Sequence, residues 1–289
     1  MKNLTNILFA SALAVALTSC EKSEPAANNV TLHFNNTFKD KTIVLGDANS
    51  TQATINTSAN GQTHQFSELK YVISNIRLVK TDGQEVPYNI NDLDKGATVI
   101  DHSKAATLDY VLSNIPTGDY KQLKFGLGIK QEINTLDEVR FPKFYATASA
   151  NDTKMMWEWG TGYRFTKIEG FYGSDKKPLS IHTGSTLDGK REDPSTYIPG
   201  VNAYRDITLS LSETAVVGKG SPMITIKADF DKLLSGKTNT ITLTSGRGPN
   251  DNATPNIHTA DQMVKFVDNL GGNSKNDNSG MFSVVSVKN

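Results

Sequence analysis

Alternation of apolar and polar residues at every second position dominates this chain. Val30, Leu32 and Phe34 alternate with Thr31, His33 and Asn35, and Ile207, Leu209 and Leu211 with Thr208, Ser210 and Ser212. Ile224, Ile226, Ala228 and Phe230 alternate in the same way with Thr225, Lys227 and Asp229. Successive strand side chains point to opposite faces, so each stretch predicts a strand with one buried and one solvated face. Residues 69–79, 97–100, 120–129, 239–243 and 281–287 are further candidates, separated by turn chemistry at Thr81-Asp82-Gly83, Pro116-Thr117-Gly118 and Ser235-Gly236. Helical periodicity is confined to residues 259–270, where Met263, Phe266, Val267 and Leu270 share a face and Gly271 offers a stop. The predicted fold is all-β: an antiparallel β-sandwich with one short C-terminal helix and long loops near residues 131–155, 184–203 and 246–280.

The N-terminus reads as a processing signal. Met1-Lys2-Asn3 is a short basic head, and Ile7 to Leu17 is an apolar run too short to span a bilayer. Leu17-Thr18-Ser19-Cys20 closes it and resembles a bacterial lipobox, which makes Cys20 the lipidated residue. Residues 1–20 are then a lipoprotein signal peptide, 21–29 a polar tether and 30–289 a single domain. Lipidation of the only cysteine leaves no thiol for a disulfide or a metal thiolate. The expected location is the outer membrane or cell surface, lipid-anchored, with the periplasmic face as the alternative. Lys plus Arg equals Asp plus Glu at 30 each, without a basic stripe, which argues against nucleic-acid binding.

Candidate chemistry gathers in Met155-Met156-Trp157-Glu158-Trp159-Gly160-Thr161-Gly162-Tyr163-Arg164-Phe165, followed by Ile181-His182-Thr183-Gly184-Ser185-Thr186. If extended, the first stretch projects Trp157 and Trp159 from one face. Indole, thioether and imidazole together suit a soft-metal or oxidisable site, while an aromatic core cluster is the plainer reading. Hydrolase templates are absent: there is no Gly-x-Ser-x-Gly, no His-Glu-x-x-His and no glycine-rich phosphate loop. The chain is expected not to be an enzyme. Among the five histidines, His33 falls on a polar strand face, His64 in a turn and His258 in a loop. His102 follows Asp101 at a strand end, where the carboxylate could orient it. His182 is the strongest ligand candidate.

Four ordered blocks carry a family resemblance. They are Phe66-Ser67-Glu68-Leu69-Lys70-Tyr71-Val72-Ile73-Ser74-Asn75-Ile76-Arg77-Leu78; Ile115-Pro116-Thr117-Gly118-Asp119-Tyr120 through Phe125-Gly126-Leu127-Gly128-Ile129 with Asn134; Met156-Trp157-x-Trp159-x-x-Gly162-Tyr163-x-Phe165; and His182-x-Gly184-Ser185-Thr186. In order and spacing these resemble MbnP-like proteins. The resemblance implies a periplasmic or surface protein that binds copper through histidine and a tryptophan oxidised to kynurenine. The implied site comprises His182, Trp159, Trp157 and His102, with Trp159 favoured for proximity to the metal. The implied partner is a dihaem enzyme resembling cytochrome c peroxidases. The chain departs from the family pattern at Thr135, Ser286 and Lys288, where some relatives carry histidine, and it lacks the four cysteines of others. The alternative is a structural or ligand-binding β-sandwich lipoprotein that has lost the metal.

Overall fold

The computed structural model describes residues 27–158, 162–185, 187–190, 192–243, 256–257, 260–272 and 280–289. Two sheets face each other. The first is built on β1 (Val30–Phe38), which pairs antiparallel with β5 (Asp109–Leu112) and parallel with β10 (Met223–Asp229). The strand β11 (Phe282–Lys288) extends this sheet antiparallel to β10.

The second sheet is organised by the 18-residue β2 (Thr63–Lys80). Along one edge β2 pairs with β7 (Thr166–Tyr172) over its first half and with β6 (Gly118–Leu127) over its second. Its other edge pairs with Asn56–Thr57, β4 (Thr98–Asp101) and β3 (Glu85–Tyr88). The strand β8 (Lys177–Thr183) continues from β7, and β9 (Arg205–Val217) from β6. Two longer helices join them, α1 (Pro142–Ser149) and α2 (Ala260–Leu270). No described helix is long and apolar enough to cross a membrane.

The apolar members of the predicted alternations fill the space between the sheets. Phe34 of β1 meets Tyr71 of β2 edge-on at 6.0 Å and Phe125 of β6 at 6.2 Å, and Phe282 of β11 meets Phe125 at 5.1 Å. One apolar cluster runs from Val30 to Val287. Each fully buried Phe or Leu in it contributes roughly 1.5–3 kcal/mol by leaving water.

The β-sandwich and the C-terminal helix agree with the sequence reading. Residues 239–243 form no strand and, among the described residues, make the single bridge Ser235↔Thr240. The loop expected at 131–155 contains α1, with Pro142 opening it and Phe144 and Ala148 turned inward. His64 lies within β2 and is 1 % exposed, because the turn falls earlier, at Ser58–Gly61.

Candidate metal site

The face of β2, β7 and β8 that points away from the sandwich core is unusual because it is also buried. Strand register places Asp101, Lys70, Lys167 and His182 in one row across four strands, since directly opposed residues share a face. Residues 142–158 and 162–165 close over this row. Lys70 Nζ donates to the carbonyl oxygens of Asp152 and Thr153 in that cover.

Ion pairing makes the burial of these charges tolerable. Glu68 Oε1 lies 2.6 Å from Lys70 Nζ and 2.7 Å from Lys167 Nζ, and Asp101 lies 3.6 Å from Lys70. Burial alone would raise the Glu68 carboxyl, but the two lysine hydrogen bonds hold it below its ordinary value. With Arg164 and Glu169 the less exposed members of the cluster are three cations (Lys70, Lys167, Arg164) and three carboxylates (Glu68, Asp101, Glu169), while the more exposed Lys104 and Glu158 pair with Asp101 at 3.8 Å and Arg164 at 3.7 Å.

His182 sits at the end of the row and is 5 % exposed. The turn at Gly173–Lys176 folds β8 back onto β7, which sets Ser180 opposite Glu169 and puts His182 beside both. Its Nε2 stands 2.5 Å from Glu169 Oε1 and 3.2 Å from Ser180 Oγ. A carboxylate accepts from Nε2–H, so the neutral ring carries its lone pair on Nδ1. Burial lowers the imidazole's affinity for a proton; Glu169 opposes this, and Arg164 and Lys167 reinforce it. A neutral imidazole held by a carboxylate is how metal-binding histidines are commonly oriented.

Trp157 covers His182, with ring centroids 6.2 Å apart at 55°. It does not lie on a strand. Met156 and Tyr163 form an isolated bridge, and the backbone N–H of Trp157 donates to the Gly162 carbonyl at 3.3 Å. Gly184 makes this approach possible, because a Cβ there would stand 2.8 Å from Trp157 Cζ2 and 2.7 Å from the Tyr163 carbonyl oxygen. The Arg164 guanidinium lies 5.4 Å from the Trp157 ring and donates to the Lys154 carbonyl at 2.8 Å. Trp157 is itself buried, at 1 % exposure.

The structure therefore joins His182 and Trp157 and adds Glu169, Lys167 and Arg164, which the sequence reading did not select. Trp159, His258 and Cys20 lie outside the described residues. Ile257, which precedes His258 in sequence, pairs in parallel with Ile181.

His102 must be removed from the candidate ligands. Its Nε2–H donates to the Ile43 carbonyl at 2.7 Å, and its Nδ1 accepts from Asn36 Nδ2 at 3.1 Å, so both nitrogens are committed to the fold. Asp101 does not orient it, bonding instead to Ser103 N and Oγ. His33 pairs with Asp109 at 2.6 Å on β1, and His64 is enclosed between Phe38 and Ser58.

Among the described residues no three His, Cys, Asp or Glu side chains converge as a metal cage. The donor this row offers a metal is the His182 imidazole, oriented by Glu169 from its Nε2–H side. Imidazole nitrogen suits divalent copper and fits part of its coordination.

The MbnP family model matches residues 27–258. Among solved structures, MbnP from Methylosinus trichosporium is similar over 72 % of this chain and 78 % of its own, at 15 % identity and a TM-score of 0.45. No curated protein sequence matches the chain.

Proposed function

Because the chain belongs to the MbnP family, we propose that it is a copper-binding protein of the cell envelope, with His182 as an imidazole ligand and Glu169 fixing that ring. The observation that carries this reading is the neutral, buried His182 held 2.5 Å from Glu169 and 6.2 Å from the Trp157 ring. Copper heads the divalent affinity order, so a site without thiolate can still bind it tightly. Family resemblance supports the finer features of the proposal: a lipid anchor at Cys20, kynurenine formed from Trp157 or Trp159, and a dihaem peroxidase-like partner that performs that oxidation. The protein is then the substrate of that partner rather than an enzyme. Trp157, 6.2 Å from the His182 ring, is the described indole that stands beside the metal in this reading.

Copper titration of the full-length protein, followed by tryptophan fluorescence and by metal analysis after gel filtration, tests the reading. One retained copper per chain, lost in His182→Ala, is expected. No retained copper, before or after treatment with the partner and peroxide, would defeat it. The second reading, a β-sandwich that keeps the family fold without the metal, draws on the commitment of His102 to the core and would then stand.

A further inference from the structure

An open cavity of about 400 Å³ lies beside the turn at Gln131–Ile133, within the range of small-ligand sites. Asn91, Gln131 and Asn202 bring three amides to it, Lys130 and Glu132 one charge of each sign, and Tyr204 an aromatic ring. Nothing in the copper reading uses these groups.

Its two most constrained members are held from behind. The Tyr204 ring lies against Gly126 of β6, where any Cβ would overlap it, and Asn75 Nδ2 donates to the phenol oxygen at 2.7 Å. Burial pushes the phenol up to about 12, so it remains a neutral hydroxyl. Asn202 Oδ1 accepts from Ser185 Oγ and from Tyr204 N, both at 3.0 Å, which fixes the amide and leaves its Nδ2 donors for another partner. The side chains of Asn91, Lys130, Gln131 and Glu132 bond to no other described residue, so the donors and acceptors around the cavity face a ligand or water. Ile133 supplies an apolar spot at the same rim.

We propose that this cavity binds a saccharide, one pyranose ring packing against Tyr204 while its hydroxyls bond to the amides and to Lys130 and Glu132. Each sugar hydroxyl donates and accepts at once, as does each amide, so adjacent hydroxyls match amides without a charge mismatch. The C–H face of a pyranose is apolar and packs on a fixed aromatic ring. One lysine and one glutamate on the same rim give no net field to draw a phosphate or a cation. A zwitterionic amino acid would engage both charges but leave the ring and most of the amides without a role.

Saturation-transfer NMR on the full-length protein with glucose, galactose, mannose and N-acetylglucosamine, each alone, tests the proposal. Transfer to the ring protons of at least one sugar is expected, with a dissociation constant on the order of 1 mM. Asn91→Ala should weaken it roughly tenfold through one lost hydrogen bond, and its exposed side chain makes no internal bond whose loss would unfold the protein. Tyr204→Ala should abolish the transfer. The proposal is overturned if none of the four sugars shows transfer. It is overturned equally if glycine or glutamate binds and no sugar competes, or if Asn91→Ala and Lys130→Ala both leave sugar binding unchanged.

Discussion

Glu169 acts on His182 in two ways, and Glu169→Gln separates them. Its Oε1 accepts from Nε2–H at 2.5 Å, which orients the ring, and its charge raises the ring's proton affinity against the dominant effect of burial. Glutamine keeps the shape and an acceptor oxygen for both His182 and Ser180, so the ring stays in place while the charge is lost. A charge-assisted hydrogen bond exceeds a neutral one by about 1–1.5 kcal/mol. Copper affinity at pH 7.5 should therefore fall roughly tenfold, the lower end of what losing such an orienting partner costs. The pH dependence runs the other way. Without Glu169, burial, Arg164 and Lys167 hold the imidazole neutral to lower pH than in the parent, so protons compete less with the metal. The affinity gap should accordingly narrow as the pH falls from 7.5 toward 5. Copper titrations followed by tryptophan fluorescence at several pH values measure both. Equal affinities at pH 7.5, or a gap that widens toward acid, would refute the role given to Glu169.

His64 is buried, and its pKa is lowered to about 4 from an ordinary 6.5. Folding therefore favours the neutral ring, and the stability it carries above pH 6.5 is lost as pH falls toward 4, up to about 3 kcal/mol at roughly 1.4 kcal/mol per pH unit. Urea denaturation of His64→Gln should show that much less acid destabilisation; parallel pH curves would contradict it. Lys70→Met leaves the buried Asp101 only the more exposed Lys104, 3.8 Å away, and should cost about 3 kcal/mol in the same assay at pH 7, whereas a loss below about 1 kcal/mol would mean the charge row is solvated. Gly184→Ala places a methyl against Trp157 and should destabilise by about 1–3 kcal/mol and change tryptophan emission; an unchanged spectrum and stability would disprove the close approach.

Strand alternation was legible because it is local: Val30 to Phe34 and Ile224 to Ala228 each bury one face, and a period of two records that directly. The helix at Ala260–Leu270 showed itself through its single apolar stripe. Pro142–Ser149 stayed hidden because it is short and buries little beyond Phe144 and Ala148, too few positions to set a period. His182 and Trp157 could be singled out by residue type and by the order of the blocks. Their partners could not. Glu169 reaches His182 only through the register of β7 against β8, although the turn residues Gly173 to Lys176 were a signal for that hairpin. Lys70 and Lys167 look solvated in sequence, and only the cover laid over the outer face buries them. His102 and His64 were misplaced for the same reason. An imidazole's role depends on which groups meet its two nitrogens, and those groups lie more than fifty residues away for His102 and across a turn for His64. The sequence by itself determined which residues lie in strands and which face is apolar, because burial on one side of a strand leaves a period in its own residues. Tertiary structure decided which polar side chains meet and which nitrogen keeps a lone pair, because strand register and the fold of a covering loop are set by contacts distant along the chain.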